Sequence, residues 1–244
     1  MEKMKNLCII QARMGSVRLP GKVLMKVGSV SLLEYQIKRV QSAKKVDKIV
    51  VATTVNKNDD RIEKTCKKLR IACFRGSDED VLDRYWKCAQ KYPRFKNIVR
   101  ITADCPLIDP VLIDQTISFF EKENYDFASN AFPGKEKFPD GMDVEVFTRE
   151  VLEEAAKKAI LPADREHVDE YMFRNKKIHK GSVFNPQDWS HFRLTVDNPE
   201  DFEVVKFIIE NSKQDNGYLD YISLLSQNLE VMKKNLKYKR NEKI

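Results

Sequence analysis

Several features are missing from these 244 residues. No apolar run approaches the ~20 residues that carry a helix across a bilayer, so no helical membrane span is expected. The opening Met1-Glu2-Lys3-Met4-Lys5 passes straight into a short apolar segment, which is not the layout of a secretory leader. The five cysteines, Cys8, Cys66, Cys73, Cys88 and Cys105, are odd in number and form no Cys-x-x-Cys pair. The three histidines, His167, His179 and His191, show no metal-ligand spacing. Those two facts argue against a zinc site or a disulfide framework and fit a reducing cytoplasm. Gly-x-Gly-x-x-Gly is absent, and so is any internal repeat. The net charge of +7 resides partly in the tail, at Lys233, Lys234, Lys237, Lys239, Arg240 and Lys243. No nucleic-acid motif accompanies it, and no basic stripe alternates with aromatics, so no nucleic-acid partner is expected. A polyphosphate ligand would also call for local positive charge.

What the chain does have is alternation. Leu7-Cys8-Ile9-Ile10 reads as a buried strand. Ser31 opens an amphipathic helix over Leu32–Val40, with Glu34 placed as in a capping box. Strands are predicted at Lys48–Thr53, Ile71–Phe74 and Asn97–Thr102, and helices at Asp59–Leu69, Asp78–Tyr92 and from Pro110 to about Glu123. This order implies an α/β fold, a mostly parallel sheet with helices on both faces. After about Asn130 the pattern loosens into a turn-rich stretch, Ala131 to Gly141. A strand is expected at Asp143–Phe147, a helix capped by Thr148 over Arg149–Lys158, another helix at Asp164–Asn175, and a strand at Phe192–Val196. Residues 227–244 read as a helix or a frayed basic extension.

The most informative segment follows the first strand. In Gln-Ala-Arg-Met-Gly-Ser-Val-Arg-Leu-Pro-Gly-Lys, three fixed cations, Arg13, Arg18 and Lys22, fall within ten residues beside Gly15, Ser16 and Gly21. A glycine-bearing loop after a strand can wrap a phosphate with backbone N–H groups while the cations offset its charge. Arginine presents a fork suited to two oxygens, and lysine a point charge. The alternative is a surface loop whose basic residues face water. A bound polyphosphate then calls for Mg2+, which takes one or two carboxylates and completes its shell with water and phosphate oxygens. Asp104 stands at the carboxyl end of a predicted strand, where ligands bind in open α/β sheets. Asp197 repeats the grammar of apolar strand, aspartate, then proline. There Asn198 and Pro199 also look like a helix start, and Asp109 before Pro110 reads as a cap.

This spacing resembles the signature of the family-three cytidylyltransferases, which include enzymes making CMP-activated sialic acid and 3-deoxy-manno-octulosonate. The branch that starts Gln-Ala-Arg-Met-Gly-Ser, as this loop does, is the one labelled spore-coat polysaccharide biosynthesis protein F. The resemblance runs from about Asn6 to about Val205. It implies a nucleotide-diphospho-sugar-transferase-like sheet within one domain, residues 1–226, with an acceptor and dimerisation subregion at about 131–192. It implies that Arg13, Ser16, Arg18 and Lys22 hold the CTP triphosphate, and that Asp104 and Asp197 hold Mg2+. It also places Ala12, Gly15, Arg75, Gly76 and Arg84 around the nucleotide, with Arg75 on the pyrimidine edge. Asp143, Glu145, Arg165 and His167 would face the acceptor, a sugar acid or another small phosphorylated or phosphonate compound. The implied protein is a cytoplasmic homodimer. Two other readings stay open. A related glycosyltransferase would want Asp-x-Asp where this chain has Asp104-Cys105-Pro106, and a catalytically silent nucleotide binder would have little use for the full set of charges.

Overall fold

The computed structural model describes residues 5–240. The opening residues 1–4, which bear on the leader question, and the last four, with Lys243, lie outside it.

The strands are β1 (Asn6–Gln11), β2 (Lys26–Val27), β3 (Val30–Ser31), β4 (Lys48–Thr54), β5 (Ala72–Gly76), β6 (Asn97–Thr102), β7 (Phe127–Ser129), β8 (Glu145–Thr148) and β9 (Lys180–Ser182). Seven of them form one sheet in the order β5-β4-β1-β6-β8-β7-β9, and β2 and β3 make a small hairpin. The four strands β5, β4, β1 and β6 run parallel. β8 is antiparallel to both β6 and β7, and β9 is parallel to β7. Of the parallel strands, β1, β4 and β6 are buried on both faces, which is why they read as continuous apolar runs, while β5 at the edge is half-buried. Cys8, Ile10 and Val51 face one core, and Leu7, Ile9 and Val50 face the other. The chain order reverses between β1 and β6, so a crevice is expected beyond their carboxyl ends.

The helices are α1 (Leu32–Gln41), α2 (Asp60–Lys68), α3 (Val81–Gln90), α4 (Pro110–Lys122), α5 (Arg149–Lys158), α6 (Pro162–His167), α7 (Glu170–Arg174), α8 (Pro199–Asn211), α9 (Tyr218–Ser226) and α10 (Leu229–Met232). Several start where the sequence placed a cap. Ser31 accepts a bond from the Glu34 amide at 3.3 Å, Asp109 accepts from Val111 at 2.8 Å, and Thr148 accepts from Val151 at 3.2 Å. Asn198 and Asp201 form a reciprocal capping box at α8.

The second half departs from the sequence reading at three places. The helix expected over Asp164–Asn175 is split into α6 and α7, because Val168 adopts φ 60° and ψ −51°. For a β-branched residue that is a rare backbone state. The strand expected at Phe192–Val196 is not a member of the sheet; its ladder is reduced to an isolated bridge between Asp140 and Arg193. The strands β7 and β9 were not expected at all, being three residues each.

A third apolar cluster joins Leu107, Met142, Leu194, Val196 and the inner faces of α8 and α9. Buried Arg39 on α1 ties this part to the main sheet. Its Nε donates to the Ile108 carbonyl at 2.7 Å, and its Nη atoms donate to the carbonyls of Gln214 and Asn216 at 3.0 and 2.9 Å. The tail is not frayed as far as residue 240. Asn235 is buried within it, donating to the Arg193 carbonyl at 3.1 Å and to Asp201 Oδ1 at 3.0 Å.

Gly141 is the tightest point of this arrangement. Its φ is +97°, and a Cβ there would lie 2.5 Å from the Thr195 nitrogen. The close approach lets Asp140 exchange backbone bonds with Phe192 and Leu194 at 3.0 and 2.7 Å. Gly141→Ala is expected to lower stability by about 2–4 kcal/mol through strain and collision, as read by urea unfolding. An unchanged midpoint would show that the 194–195 backbone moves aside freely.

Candidate active site

The loop after β1 is closed on itself. The Gly21 amide donates to the Met14 carbonyl at 2.9 Å, and the Leu19 amide reaches Ser16 Oγ at 3.4 Å. Gly21 stands at φ +74° to make the turn. Ala12 is buried, and its amide extends the parallel ladder to Ala52 at 3.1 Å. A Cβ on Gly15 would meet nothing within 4 Å, so that position faces open space. Asp59, nearly fully buried, holds the loop from below. Its carboxylate accepts from the Met14 amide at 2.7 Å, from the Thr54 amide at 3.3 Å, and from the Thr54 hydroxyl.

The loop's cations divide between two sides. Arg13 lies 3.6 Å from Asp78, at a cleft of about 300 Å³ shared with Gly15, Asn56, Lys57, Asn58 and Asp59. Arg18 and Lys22 point instead at the aspartates singled out in the sequence. Lys22 Nζ sits 2.8 Å from Asp197 Oδ1 and 3.5 Å from Asp104 Oδ2, and Arg18 Nη2 sits 2.9 Å from Asp197 Oδ1. Burial alone would push the Lys22 ammonium down, but Asp104 and Asp197 outweigh it and keep the amine charged. Burial likewise pushes Asp104 up. Lys22, with donors from Thr102 and Cys105, more than offsets this, so the carboxyl ends below its ordinary range. Four residues expected to cooperate, Arg18, Lys22, Asp104 and Asp197, therefore meet at one place.

The two aspartates come from distant segments whose backbones are pinned together. The Asp104 carbonyl accepts from the Val196 amide at 2.8 Å and from Thr195 Oγ1 at 3.1 Å. Behind Asp197 stands Arg193, buried, which bonds Asp197 Oδ2 at 3.0 Å, Asp140 Oδ2 at 2.5 Å and Asp201 Oδ1 at 2.8 Å. Fully buried Asp201 also accepts from the Asp197 and Asn198 amides at 3.0 and 2.9 Å. Burial and neighbouring Asp143 push Asp140 up to about 7, against the pull of Arg240 and Arg193. Among the described residues, no group of three Asp, Glu, His or Cys side chains is arranged to hold a metal ion. Two carboxylates that share a single ammonium are what the site offers a cation.

Other expected site residues are placed differently. Arg75 does not project toward a base. Its Nε donates to Thr54 O at 3.0 Å, Nη2 to Asn56 O at 2.9 Å, and Nη1 bonds Asp60 and Glu63 at 2.6 and 2.9 Å. It fastens α2 to the ends of β4 and β5. Arg165 is likewise consumed by Asp80 and the Ala156 carbonyl. Asp143 is paired with Arg240. His167 is exposed at the end of α6, its carbonyl bonded by the Asp169 amide. Gly76 lets Arg84 pack beneath it, since a Cβ there would fall 2.9 Å from Arg84 Cγ. Buried Arg84 donates to the Ser77 carbonyl, and burial lowers its pKa.

Glu145 is buried rather than presented to an acceptor. It pairs with buried Arg100 at 3.0 Å, which also stands 3.5 Å from Asp169. Two buried carboxylates share one guanidinium, so burial and the repulsion of Asp169 push Glu145 up to about 8.

Similarity to known proteins shows the family. The cytidylyltransferase family profile matches residues 7–240. The chain belongs to the cytidylyltransferase family, and so to the nucleotidyltransferases. Spore coat polysaccharide biosynthesis protein SpsF of Bacillus subtilis is 36% identical over 234 residues, covering 91% of this chain and 94% of that protein. A solved cytidylyltransferase from Leptospira borgpetersenii superposes with a TM-score of 0.88 at 35% identity, covering 99% of both chains. The 3-deoxy-manno-octulosonate cytidylyltransferase of Anaeromyxobacter dehalogenans is 35% identical over 115 residues, 46% of each chain. The fold expected from the sequence, a cytidylyltransferase-type sheet, is the one observed.

Sequence reading of this cytidylyltransferase missed Asp59, Arg193 and Asp201. Arg193 did carry a signal, since a charged residue inside Phe192–Val196 requires a buried partner. Two measurements test these supports. Asp59→Ala is expected to cost about 2–4 kcal/mol, because it leaves three buried donors without an acceptor. Hydrogen exchange at the Met14 amide should accelerate with it; an unchanged rate would show the loop held by other means. The second concerns Glu145. The folded chain holds its proton up to about pH 8, whereas the unfolded chain releases it near the ordinary value of 4.5. Stability from this group is therefore full below pH 4.5 and is lost as pH rises toward 8. Urea unfolding between pH 5 and 8 should show wild type losing stability faster than Glu145→Gln, by up to about 1.4 kcal/mol per pH unit. Parallel profiles would contradict the shift.

Proposed function

We propose that this cytidylyltransferase transfers CMP from CTP to a sugar acid or related small acid, using Mg2+, and so activates a building block for surface polysaccharide. The observation that carries the reading is Lys22 bridging Asp104 and Asp197 at the mouth of the glycine-bearing loop. A triphosphate entering there meets Arg18 and Lys22 on one side and Arg13 on the other, with Ser16 and the open backbone at Gly15 between them. The SpsF relative supports the polysaccharide setting, and the octulosonate enzyme supports a sugar-acid acceptor.

An acceptor hydroxyl gives up its proton to solvent and its oxygen attacks the α-phosphorus, the bond to the β-phosphate bridging oxygen breaks, and pyrophosphate departs in line. Arg13, Arg18 and Lys22 carry the charge that accumulates on the leaving group. Asp104 and Asp197 fit Mg2+, which favours two carboxylates with phosphate oxygens and would lower the acceptor hydroxyl's pKa. Lys22 then shifts from the aspartates to the phosphates, an exchange of one anionic partner for another. Buried Arg193 and Asp201 keep Asp197 oriented throughout.

A cytoplasmic homodimer suits the rest of the molecule. The five cysteines are free thiols. Ile160 and Phe184, exposed to 86% and 72%, lie within the 131–192 region read as a dimerisation surface. Asp104→Ala and Lys22→Ala are each expected to cut pyrophosphate release from CTP about 10²-fold or more while circular dichroism is unchanged. Near-normal release in both variants would remove the site from the chemistry.

A further inference from the structure

We propose that Arg240, in the C-terminal tail, selects the acceptor by binding its carboxylate; this deepens the transfer reading above and rests on it. The tail returns to the site from far along the chain, since Arg240 meets Asp143 across 97 residues of sequence. Its course is fixed by contacts to the segment that carries Asp197. Buried Asn235 bonds the Arg193 carbonyl and Asp201. Tyr238 places its hydroxyl 2.9 Å from Glu200 Oε2 and its ring centroid 5.9 Å from the Arg193 guanidinium. Lys237 holds Glu200 at 2.7 Å.

Arg240 ends this path with its guanidinium on the Asp143 carboxylate and its Nη1 3.4 Å from the Phe138 carbonyl. Both partners keep part of their surface open, 16% for the arginine side chain and 29% for the aspartate. The pair stands close to the proposed site, because Phe138, whose carbonyl Arg240 bonds, lies two residues before Asp140, which Arg193 links to Asp197.

The neighbouring cations are committed elsewhere. Arg193 serves three buried or half-buried aspartates, Arg100 serves Glu145 and Asp169, and Arg165 serves Asp80. Arg18 and Lys22 belong to the phosphate side. Among the described residues Arg240 pairs with one carboxylate, which is partly exposed, so a carboxylate on the acceptor can take the place of Asp143 on the same fork of donors. Asp143 is then released to accept bonds from acceptor hydroxyls. The Arg240 guanidinium keeps a carboxylate partner through the exchange, whereas a neutral acceptor offers it none.

The test uses the full chain with Arg240→Ala and Arg240→Lys. Pyrophosphate release from CTP is followed with 3-deoxy-manno-octulosonate, its methyl ester and glycerol 3-phosphate, and CTP affinity is measured separately by calorimetry. Wild type should favour the acid over the ester. In Arg240→Ala the KM for the acid should rise about 10- to 100-fold, with kcat and CTP affinity nearly unchanged and the preference for acid over ester lost. Arg240→Lys should recover part of that preference. Turnover confined to the ester or the phosphate, or absent with all three, overturns the proposal. If wild type binds no CTP, the transfer reading falls together with it. If CTP binds and Arg240→Ala still distinguishes acid from ester, the proposal alone falls.

Discussion

One ammonium group between two carboxylates sets the terms for this molecule. Lys22 is buried, so its charge is tolerable only with Asp104 and Asp197 beside it. The aspartates in turn repel each other unless a cation lies between them. Every segment around the site serves that mutual need. The closed loop from Met14 to Gly21 presents the lysine. The bonds from Val196 and Thr195 to the Asp104 carbonyl keep the carboxylates from drifting apart. The site thus presents one ammonium and two carboxylates side by side at the mouth of the loop.

The sheet explains why these groups meet. β1 and β6 are adjacent and parallel, so the loop after Gln11 and the turn after Thr102 leave the same edge side by side. Asp197 has no place in that sheet. It arrives on an irregular segment held by the close passage of Gly141 and by the third apolar cluster. Arg39 locks that cluster to the main sheet through three carbonyls. The site is therefore a junction between a regular half and an irregular one, and its geometry depends on contacts that no single secondary-structure element supplies.

That division also decides what could be read from sequence. The strands β1, β4 and β6 were legible because burial on both faces leaves unbroken apolar runs. Caps at Ser31, Asp109, Thr148 and Asn198 were legible because they are local chemistry. The loop cations and Asp104 followed from their place at strand ends. Arg75, Arg165 and Glu145 have protein partners that the sequence did not reveal, for one shared reason. A charged residue near a cleft looks the same in sequence whether its partner is a ligand or another side chain. Asp60, Glu63, Asp80 and Arg100 supplied those partners through tertiary contacts that local pattern does not encode. Val168 illustrates the same limit for backbone. Its positive φ breaks a helix that composition alone would continue, and packing holds it there.

The network behind Asp197 has a different logic from the apolar cores. Burying Arg193, Asp201 and Asn235 beside half-buried Asp140 gives little net stability, because desolvation consumes most of the attraction between them. Apolar residues of similar volume would fill the space as well. What such residues would lack is direction. Arg193 meets three carboxylates along fixed lines, and Asp201 receives two successive backbone amides, so Asp197 can turn its remaining oxygen only toward Lys22 and Arg18. The polar cluster makes sense as the means of aiming one carboxylate. Because the tail residue Asn235 bonds both Arg193 and Asp201, the last segment of the chain belongs to that aiming device as fully as the loop near its start.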